Sequence, residues 1–230
     1  MKFETHVKEI IPRTYNVTTF RFQRPSTLSY KPGQYLFVTI KSGRKKLSKT
    51  FSLSSSPTEK DHIEFTKKLT DSKFSNTLRT LKVGDWAMID APYGKFTFEG
   101  ENEKIALLAG GIGITPFRSI CKYCTDMRLT SKITLLYGNR SESDIVFKKE
   151  LEKQNKNLKV VFILNEASNA WKGATGVIDA EMVKREVPNY KERVFYACGP
   201  PPMVQAMEKL IKDLGLPPTQ LRLEAFTGHT

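Results

Sequence analysis

The chain has 230 residues, 39% of them hydrophobic, so it can bury the core of one large domain or of two moderate ones. No stretch approaches the roughly 20 consecutive apolar residues that a membrane span needs, and residues 1–10 lack the apolar core of a signal peptide. We therefore predict no membrane span and expect a soluble, cytoplasmic protein.

The chain is strongly basic, with 37 lysines and arginines against 24 acidic residues and a formal net charge of +13. Such a surplus attracts acidic partners. Nucleic acid is disfavoured, because no basic helix, zinc finger or aromatic RNA-binding signature accompanies the densest cluster at residues 41–49. We expect that cluster to form a solvated loop.

The first 98 residues have the pattern of a small antiparallel barrel. Short apolar or alternating runs are separated by turn signals such as YKPGQ and KVGD. The predicted strands are residues 6–11, 18–23, 34–40, 49–55, 62–69 and 86–91. Helical spacing predicts one helix over residues 73–81, between the last two strands.

From residue 104 onward, predicted strands alternate with predicted helices, which indicates βαβ units and a parallel sheet. The strands are residues 104–111, 132–139, 158–165 and 193–200, and the helices are 116–127, 144–154, 179–187 and 202–215. The change of period places a domain boundary near residues 99–103.

The three cysteines indicate neither a disulfide framework nor a metal centre. Cys121 and Cys124 lie on one face of a predicted helix, and Cys198 is far from them in sequence. Three thiols cannot supply the four ligands that an iron–sulfur cluster usually takes. We interpret the C-x-x-C pair as packing thiols, with a redox or metal role as the alternative, and predict no metal site.

The segment LLAGGIGITPFRSI, residues 107–120, combines a buried strand, a glycine turn and a helix start. The glycines permit a sharp turn, and free backbone N–H groups at the helix start suit a phosphate. We expect Thr115 to cap the helix and Pro116 to take its first position. Pro116 replaces the third glycine of G-x-G-x-x-G, which argues against the usual Rossmann dehydrogenase. A turn that binds a nucleotide and a turn with no ligand are both open on this stretch alone.

Eight segments follow one another along nearly the whole chain: YKPGQYLFV, KTFSLSSSP, KFSNTL, KVGDWAMIDAPYGKF, LLAGGIGITPF, LLYGNRSESDIVFKKEL, YACGPPPMV and EAFTGHT. Together they resemble the ferredoxin-NADP reductase family of flavoproteins. The resemblance implies an FAD-binding six-stranded antiparallel β-barrel over residues 1–100. It further implies an NAD(P)-binding α/β domain with a parallel sheet over residues 101–230, whose C-terminal tail returns to the flavin, and no iron–sulfur domain.

The flavin signature of that family is R-x-Y-S, and the matching residues are Lys49, Thr50, Phe51 and Ser52. The resemblance implies a charge for a phosphate, a ring for the isoalloxazine and a hydroxyl for the flavin edge. Phe51 lacks the phenol hydroxyl, and Lys49 is a point charge instead of a bidentate fork. We therefore expect both contacts to be weaker than in the family pattern.

Two further segments are implied to contact the flavin. KFSNTL resembles the pyrophosphate loop of the family, which favours FAD over FMN, and Thr66 and Lys68 match flavin-lining positions on the preceding strand. The loop residues expected at the helix start are Lys73, Phe74 and Ser75.

The nicotinamide site is implied to lie beyond the carboxyl ends of the parallel strands. Cys198 is implied to stand beside the nicotinamide, with a buried thiol as the alternative. The other implied contacts are Gly110, Gly111, Gly113, Thr115, Pro116, Tyr137, Gly138, Asn139, Arg140 and Gly199.

The choice of nicotinamide cofactor depends on the 2′-phosphate of NADP. Arg140 and Ser141 are candidate ligands of that phosphate, although Glu142 and Asp144 follow at once, and Arg140 is equally compatible with a solvated loop. The positive charge of the chain slightly favours NADPH over NADH.

Glu224 and Phe226 resemble the closing residues of the family, with a frayed tail as the alternative. Phe226 is implied to cover the flavin, and Glu224 is implied to form a polar route to it with Ser52. The catalytic candidates are therefore Ser52, Cys198 and Glu224.

The function that we predict is FAD-dependent NAD(P)H oxidoreductase activity, with hydride passing to the flavin and electrons leaving to a separate acceptor. The basic surface makes an acidic carrier such as ferredoxin or flavodoxin the expected partner. One alternative is an electron-transfer subunit or flavin reductase of a larger complex. Another is a nucleotide- or nucleic-acid-binding module without redox turnover.

Overall fold

A computed structural model describes residues 1–153, 156–187 and 189–226. Its first part is an antiparallel sheet of six strands, as the sequence predicted, in the order β4-β3-β6-β1-β2-β5. The strands are β1 (Lys2–Pro12), β2 (Val17–Gln23), β3 (Tyr35–Ser42), β4 (Lys45–Ser52), β5 (His62–Lys68) and β6 (Trp86–Tyr93). A bridge between Leu53 and Phe65 joins the end of β4 to β5, so the sheet curls into a barrel.

Alternation along the strands gives this barrel its core. Leu36, Val38 and Ile40 on β3 are fully buried, while Phe37 between them is exposed. The predicted helix is α1 (Lys73–Thr80), whose N-cap Ser72 accepts a hydrogen bond from the backbone N–H of Ser75.

The second part is a parallel six-stranded sheet with helices, also as predicted, in the order β10-β9-β8-β7-β11-β12. Its strands are β7 (Lys104–Gly110), β8 (Lys132–Asn139), β9 (Leu158–Leu164), β10 (Ala174–Thr175), β11 (Val194–Gly199) and β12 (Leu221–Ala225). The helices are α2 (Ile114–Asp126), α3 (Lys148–Glu152), α4 (Ala180–Glu186) and α5 (Pro201–Asp213). No helix in the described ranges is long and apolar enough to cross a membrane.

Four local predictions were wrong. The basic cluster at 41–49 is not a loop, because Lys41 and Lys46 pair across a β3–β4 hairpin and both ammonium groups lie over the Trp86 ring. The cap of α2 is Gly113 instead of Thr115, whose hydroxyl donates back to the carbonyl of Ile112 at 3.2 Å. Pro116 accordingly lies at the third helical position, because α2 begins at Ile114.

The helix predicted over residues 144–154 is only α3, since Phe147 adopts a left-handed backbone with φ of 62° just before it. Residues 154–155 lie outside the described residues. The tail at 221–225 was not predicted as a strand, but β12 pairs in parallel with β11 and completes the sheet.

A buried ion cluster joins α2 to the barrel. The Arg118 guanidinium donates to Glu59 Oε2 at 2.6 Å and to the carbonyl of Ser54 at 2.8 Å, and it lies 3.3 Å from Glu64 Oε1. Ser119 donates to the carbonyl of Ser55 at 2.6 Å. These contacts hold the glycine turn at the start of α2 against the barrel.

Candidate functional site

Two cavities, of about 470 and 800 Å³, lie side by side and share one lining residue, Ile112. Both fall within the range of small-molecule sites, roughly 300–1,000 Å³. The first lies mainly between β4, β5 and the end of β12. The second lies at the carboxyl ends of β7, β8 and β9.

Cations, hydroxyls and rings converge on the first cavity. Lys49 and Lys67 supply the cations, and the Phe51 ring stacks on Phe65 with centroids 4.4 Å apart. The predicted residues that line it are Lys49, Thr50, Phe51, Ser52, Thr66, Phe74, Thr115, Glu224 and Phe226.

Lys67 is a buried cation for which no carboxylate of the described residues forms an ion pair. Burial, together with the nearby charge of Lys49, lowers the pKa of Lys67. Such a group is costly unless an anion completes its surroundings. The first cavity therefore suits a negatively charged ligand.

Ser52 and Glu224 meet at the floor of the first cavity. The Ser52 hydroxyl donates to Glu224 Oε2 at 3.3 Å, across 172 residues of sequence. Burial raises the pKa of Glu224 to about 7, and the hydrogen bond from Ser52 offsets only part of that effect. This carboxyl can therefore take up or release a proton near neutral pH.

The second cavity is lined by the glycine turn and by the ends of neighbouring strands. Gly111 has a φ of 50° there, a backbone conformation that favours glycine. The predicted residues that line the cavity are Gly110, Gly111, Gly138, Asn139 and Arg140. Lys68, predicted to contact the flavin, lines this second cavity and not the first.

Close packing of the turn explains why some predicted residues line neither cavity. A Cβ on Gly113 would lie 2.2 Å from the carbonyl oxygen of Cys198, so this glycine packs the turn onto β11. The Cys198 thiol is fully buried, and burial raises its pKa well above the usual value. Others outside the lining of both cavities are Pro116, Tyr137 and Gly199.

Lys73 and Ser75 are not in the first cavity either. Lys73 lines a separate depression beside the β3–β4 hairpin, and Ser75 is buried with its hydroxyl accepting from Ser72 at 3.0 Å. The resemblance placed the helix start correctly, but the cap takes up the Ser75 side chain.

Several lining residues were missed. Tyr35, Lys67 and Ser72 line the first cavity. Tyr15 and Asn16, in the β1–β2 turn, line the second. Tyr35 belongs to a segment that the resemblance already covered and Ser72 directly precedes another, so both could have been found, whereas nothing in the sequence links the β1–β2 turn to the parallel sheet.

Two family models match the chain. The oxidoreductase FAD-binding domain matches residues 3–98, and the oxidoreductase NAD-binding domain matches residues 107–209. The first match spans the barrel, and the second begins on β7 and includes the glycine turn.

Individual proteins show the same likeness. The chain is 28% identical over 229 residues to the glycine betaine monooxygenase reductase subunit of Chromohalobacter salexigens, covering 95% of this chain and 62% of that protein. It is 33% identical over 226 residues to NADH-cytochrome b5 reductase 1 of Aspergillus terreus, covering 91% and 76%. It superposes with a TM-score of 0.86 on a ferredoxin NADP+ reductase from Neisseria gonorrhoeae, at 20% identity and with 97% and 98% coverage, which shows a common fold.

Proposed function

We propose, from the premise that this chain belongs to the ferredoxin-NADP reductase family of FAD- and NAD-binding oxidoreductases, that it is an NAD(P)H-dependent flavoprotein reductase. The observation that carries the proposal is the meeting of the two cavities at Ile112. A flavin in the first and a nicotinamide in the second would come into contact there, which is the arrangement that hydride transfer needs.

The residues of the first cavity fit FAD. Lys49 and Lys67 would offset the charge of its phosphates, and the Thr66 and Ser52 hydroxyls would face its polar edge. When bound, FAD supplies the redox chemistry that no side chain of the protein can provide. The protein would position it and exclude water with Phe226, which packs against the core of the parallel domain.

Glu224 and Ser52 would handle the proton that accompanies the hydride. A carboxyl with a pKa of about 7 is present in both forms at neutral pH, and Ser52 holds one of its oxygens. Cys198 stays a predicted neighbour of the nicotinamide, although it is fully buried and lines neither cavity.

The second cavity fits a dinucleotide. Gly110 and Gly111 would approach its phosphates with backbone only, at the start of α2. Lys68 lines the same cavity from the barrel side and adds a positive charge. Arg140 favours NADPH as judged from the sequence. In the structure this arginine pairs with Glu166, and that contact affects the choice between NADPH and NADH.

The proposed acceptor is an acidic electron-carrier protein such as ferredoxin or flavodoxin. The β3–β4 hairpin supports this, because its segment 41–49 carries five cations and no carboxylate, and all five are exposed. The names of the relatives suggest a cytochrome or an oxygenase component as other acceptors, and the reductase subunit among them supports the alternative of a subunit in a larger complex.

The decisive experiment is anaerobic reduction of the purified protein. We expect a yellow protein with about one FAD per chain, which NADH or NADPH bleaches. A colourless protein that takes up no added FAD would contradict the proposal and favour a nucleotide-binding module without redox turnover, whereas released FMN would overturn only the choice of flavin.

The acceptor is tested separately by stopped-flow reduction of an acidic carrier. The rate should fall steeply as salt screens the hairpin, and a variant with Arg44, Lys45 and Lys46 changed to glutamine should lose most of that dependence. A rate that does not depend on salt would point to a small-molecule acceptor, and subunits that co-purify would point to a complex.

A further inference from the structure

The rim of the second cavity carries an arrangement of charges that bears on which dinucleotide enters. Arg140 follows β8, and Asn165 and Glu166 follow β9. The N–H groups of Asn165 and Glu166 donate to the carbonyls of Asn139 and Arg140 at 3.0 and 2.8 Å, so the strand pairing continues past both strand ends. Arg140 and Glu166 are therefore held side by side where the adenosine ribose of a dinucleotide would lie.

Arg140 is already engaged by a carboxylate. Its Nε donates to Glu166 Oε1 at 2.9 Å, although the two side chains are 75% and 61% exposed. A ligand phosphate at this arginine would approach within a few ångströms of the Glu166 charge.

The other candidate phosphate ligand, Ser141, is engaged as well. Its hydroxyl donates to Asp144 Oδ2 at 2.7 Å, and its backbone N–H donates to the same oxygen at 3.2 Å. The remaining Asp144 oxygen accepts from the Tyr15 hydroxyl of the barrel at 3.0 Å. Three contacts thus fix the Asp144 carboxylate at the rim.

Both groups that could hold a 2′-phosphate therefore face carboxylates. A phosphate monoester carries about −1.5 to −2 charges at neutral pH, so it would be repelled by Glu166 and Asp144, while a ribose 2′-hydroxyl would not. Lys68, the other cation at this rim, is itself close enough to Asp144 to affect its titration.

We infer, on the basis of the proposed function, that Glu166 and Asp144 select against the 2′-phosphate and that NADH is the physiological donor. Of these two specificity-determining residues, Glu166 is the one to test, because Asp144 also shapes the turn before α3. This reverses the preference that Arg140 alone suggests.

The test is the binding of 5′-AMP and 2′,5′-ADP, measured by calorimetry on the purified protein. We expect the native protein to bind 2′,5′-ADP no more tightly than 5′-AMP. Glu166→Gln should free Arg140 and strengthen binding of 2′,5′-ADP by about fivefold, the scale of an exposed ion pair, with 5′-AMP nearly unchanged. Adding Arg140→Ala should abolish that gain.

Glu142→Gln is the matched control, because Glu142 is a neighbouring exposed carboxylate that pairs with Lys148 at 2.7 Å and leaves Arg140 paired. Native binding of 2′,5′-ADP that is tenfold tighter than that of 5′-AMP, or an equal gain in Glu142→Gln and Glu166→Gln, would overturn the inference. Because the fragments need neither flavin nor turnover, a protein that binds them but is not reduced by NADH or NADPH would contradict the proposed function alone.

Discussion

Two arginines of the parallel domain make ion pairs in opposite surroundings. Arg118 is 5% exposed and lies among three glutamates, two from the barrel and one from its own domain, while Arg140 is 75% exposed and pairs with one glutamate at a cavity rim. Arg118 is shielded from solvent, so water cannot replace a partner that it loses. Arg140 is exposed, so water or a ligand can replace Glu166 as its partner.

This comparison distinguishes charged residues that stabilise the fold from charged residues that are placed to contact a ligand. Burial alone would raise the pKa of Glu64, but the His62 ring, whose Nε2 lies 3.7 Å from Glu64 Oε2, and the charges of Arg118 and Arg21 outweigh burial and hold that pKa well below its usual range. Glu224 is partly buried and forms an ion pair with no cation in the part of the chain that the structure describes, so its pKa rises. Of these two carboxyls, Glu64 pairs with arginines and has a lowered pKa, whereas Glu224 contacts a hydroxyl and has a raised pKa.

The largest expected effect is on Arg118. Arg118→Met should lower the free energy of unfolding by about 3–5 kcal/mol, because the partly buried Glu59 and the fully buried Glu64 each lose an ion-pair partner. Urea unfolding followed by circular dichroism measures this. A loss below about 1 kcal/mol would mean that the cluster does not hold α2 to the barrel.

The next effect concerns Glu224 and pH. Its folded pKa of about 7 lies above the usual 4.5, so the folded state retains a proton that the unfolded state releases. The contribution of Glu224 to the free energy of unfolding should therefore be fully present below pH 4.5 and fall by about 3 kcal/mol as the pH rises through 7. Glu224→Gln should remove that fall in flavin-free protein, making the variant more stable than the native chain at pH 8 but not at pH 4. Parallel curves for the two proteins would contradict the assignment.

A smaller effect is expected for flavin binding, where a buried and an exposed lysine are compared. Lys67→Met should weaken FAD binding by about 1–3 kcal/mol, which is the scale of a charge-assisted contact. Lys49→Ala should also weaken FAD binding. Lys73→Ala is the control, because Lys73 is exposed outside the first cavity. Fluorescence titration of flavin-free protein distinguishes the variants, and equal losses of affinity for Lys67→Met and Lys73→Ala would support the pyrophosphate role that the resemblance implies for Lys73.

The smallest effect is on the stability contributed by Arg140. Arg140→Met should change the free energy of unfolding by no more than about 1 kcal/mol, since exposed ion pairs contribute little. A loss as large as that of Arg118→Met would erase the contrast between the two arginines. The same urea series measures both variants.

The strands and most helices could be predicted because alternation and 3.6-residue spacing record burial directly. Leu36, Val38 and Ile40 show it on β3, and the parallel strands show it as unbroken apolar runs. The basic hairpin was missed because its lysines hide the period-two alternation of a strand, and the ammonium groups of Lys41 and Lys46 contact Trp86, which is distant in sequence. Strand β12 was missed because it is only five residues long and is defined by its tertiary pairing with β11, which no local sequence pattern shows.

The site was predictable where a motif fixes the backbone and not where a side chain crosses between domains. Lys49 to Ser52 line the first cavity, and Gly110 and Gly111 of the glycine turn line the second. Lys67 and Lys68 are adjacent on β5, and successive side chains of a strand point to opposite faces, so the two lysines line different cavities. A shift of one residue in matching this strand to the family exchanges them. Tyr15 reaches Asp144 across 129 residues, and no local pattern shows that contact.

The contact between Ser52 and Glu224 also sets an order of events in time. Its two residues lie 172 positions apart, so a ribosome adding about 5–20 residues per second finishes the second roughly 10–30 s after the first. In that interval the barrel can fold, but its flavin cavity lacks Glu224, Ala225 and Phe226. The first cavity is thus complete only after the last strand of the parallel sheet has been made.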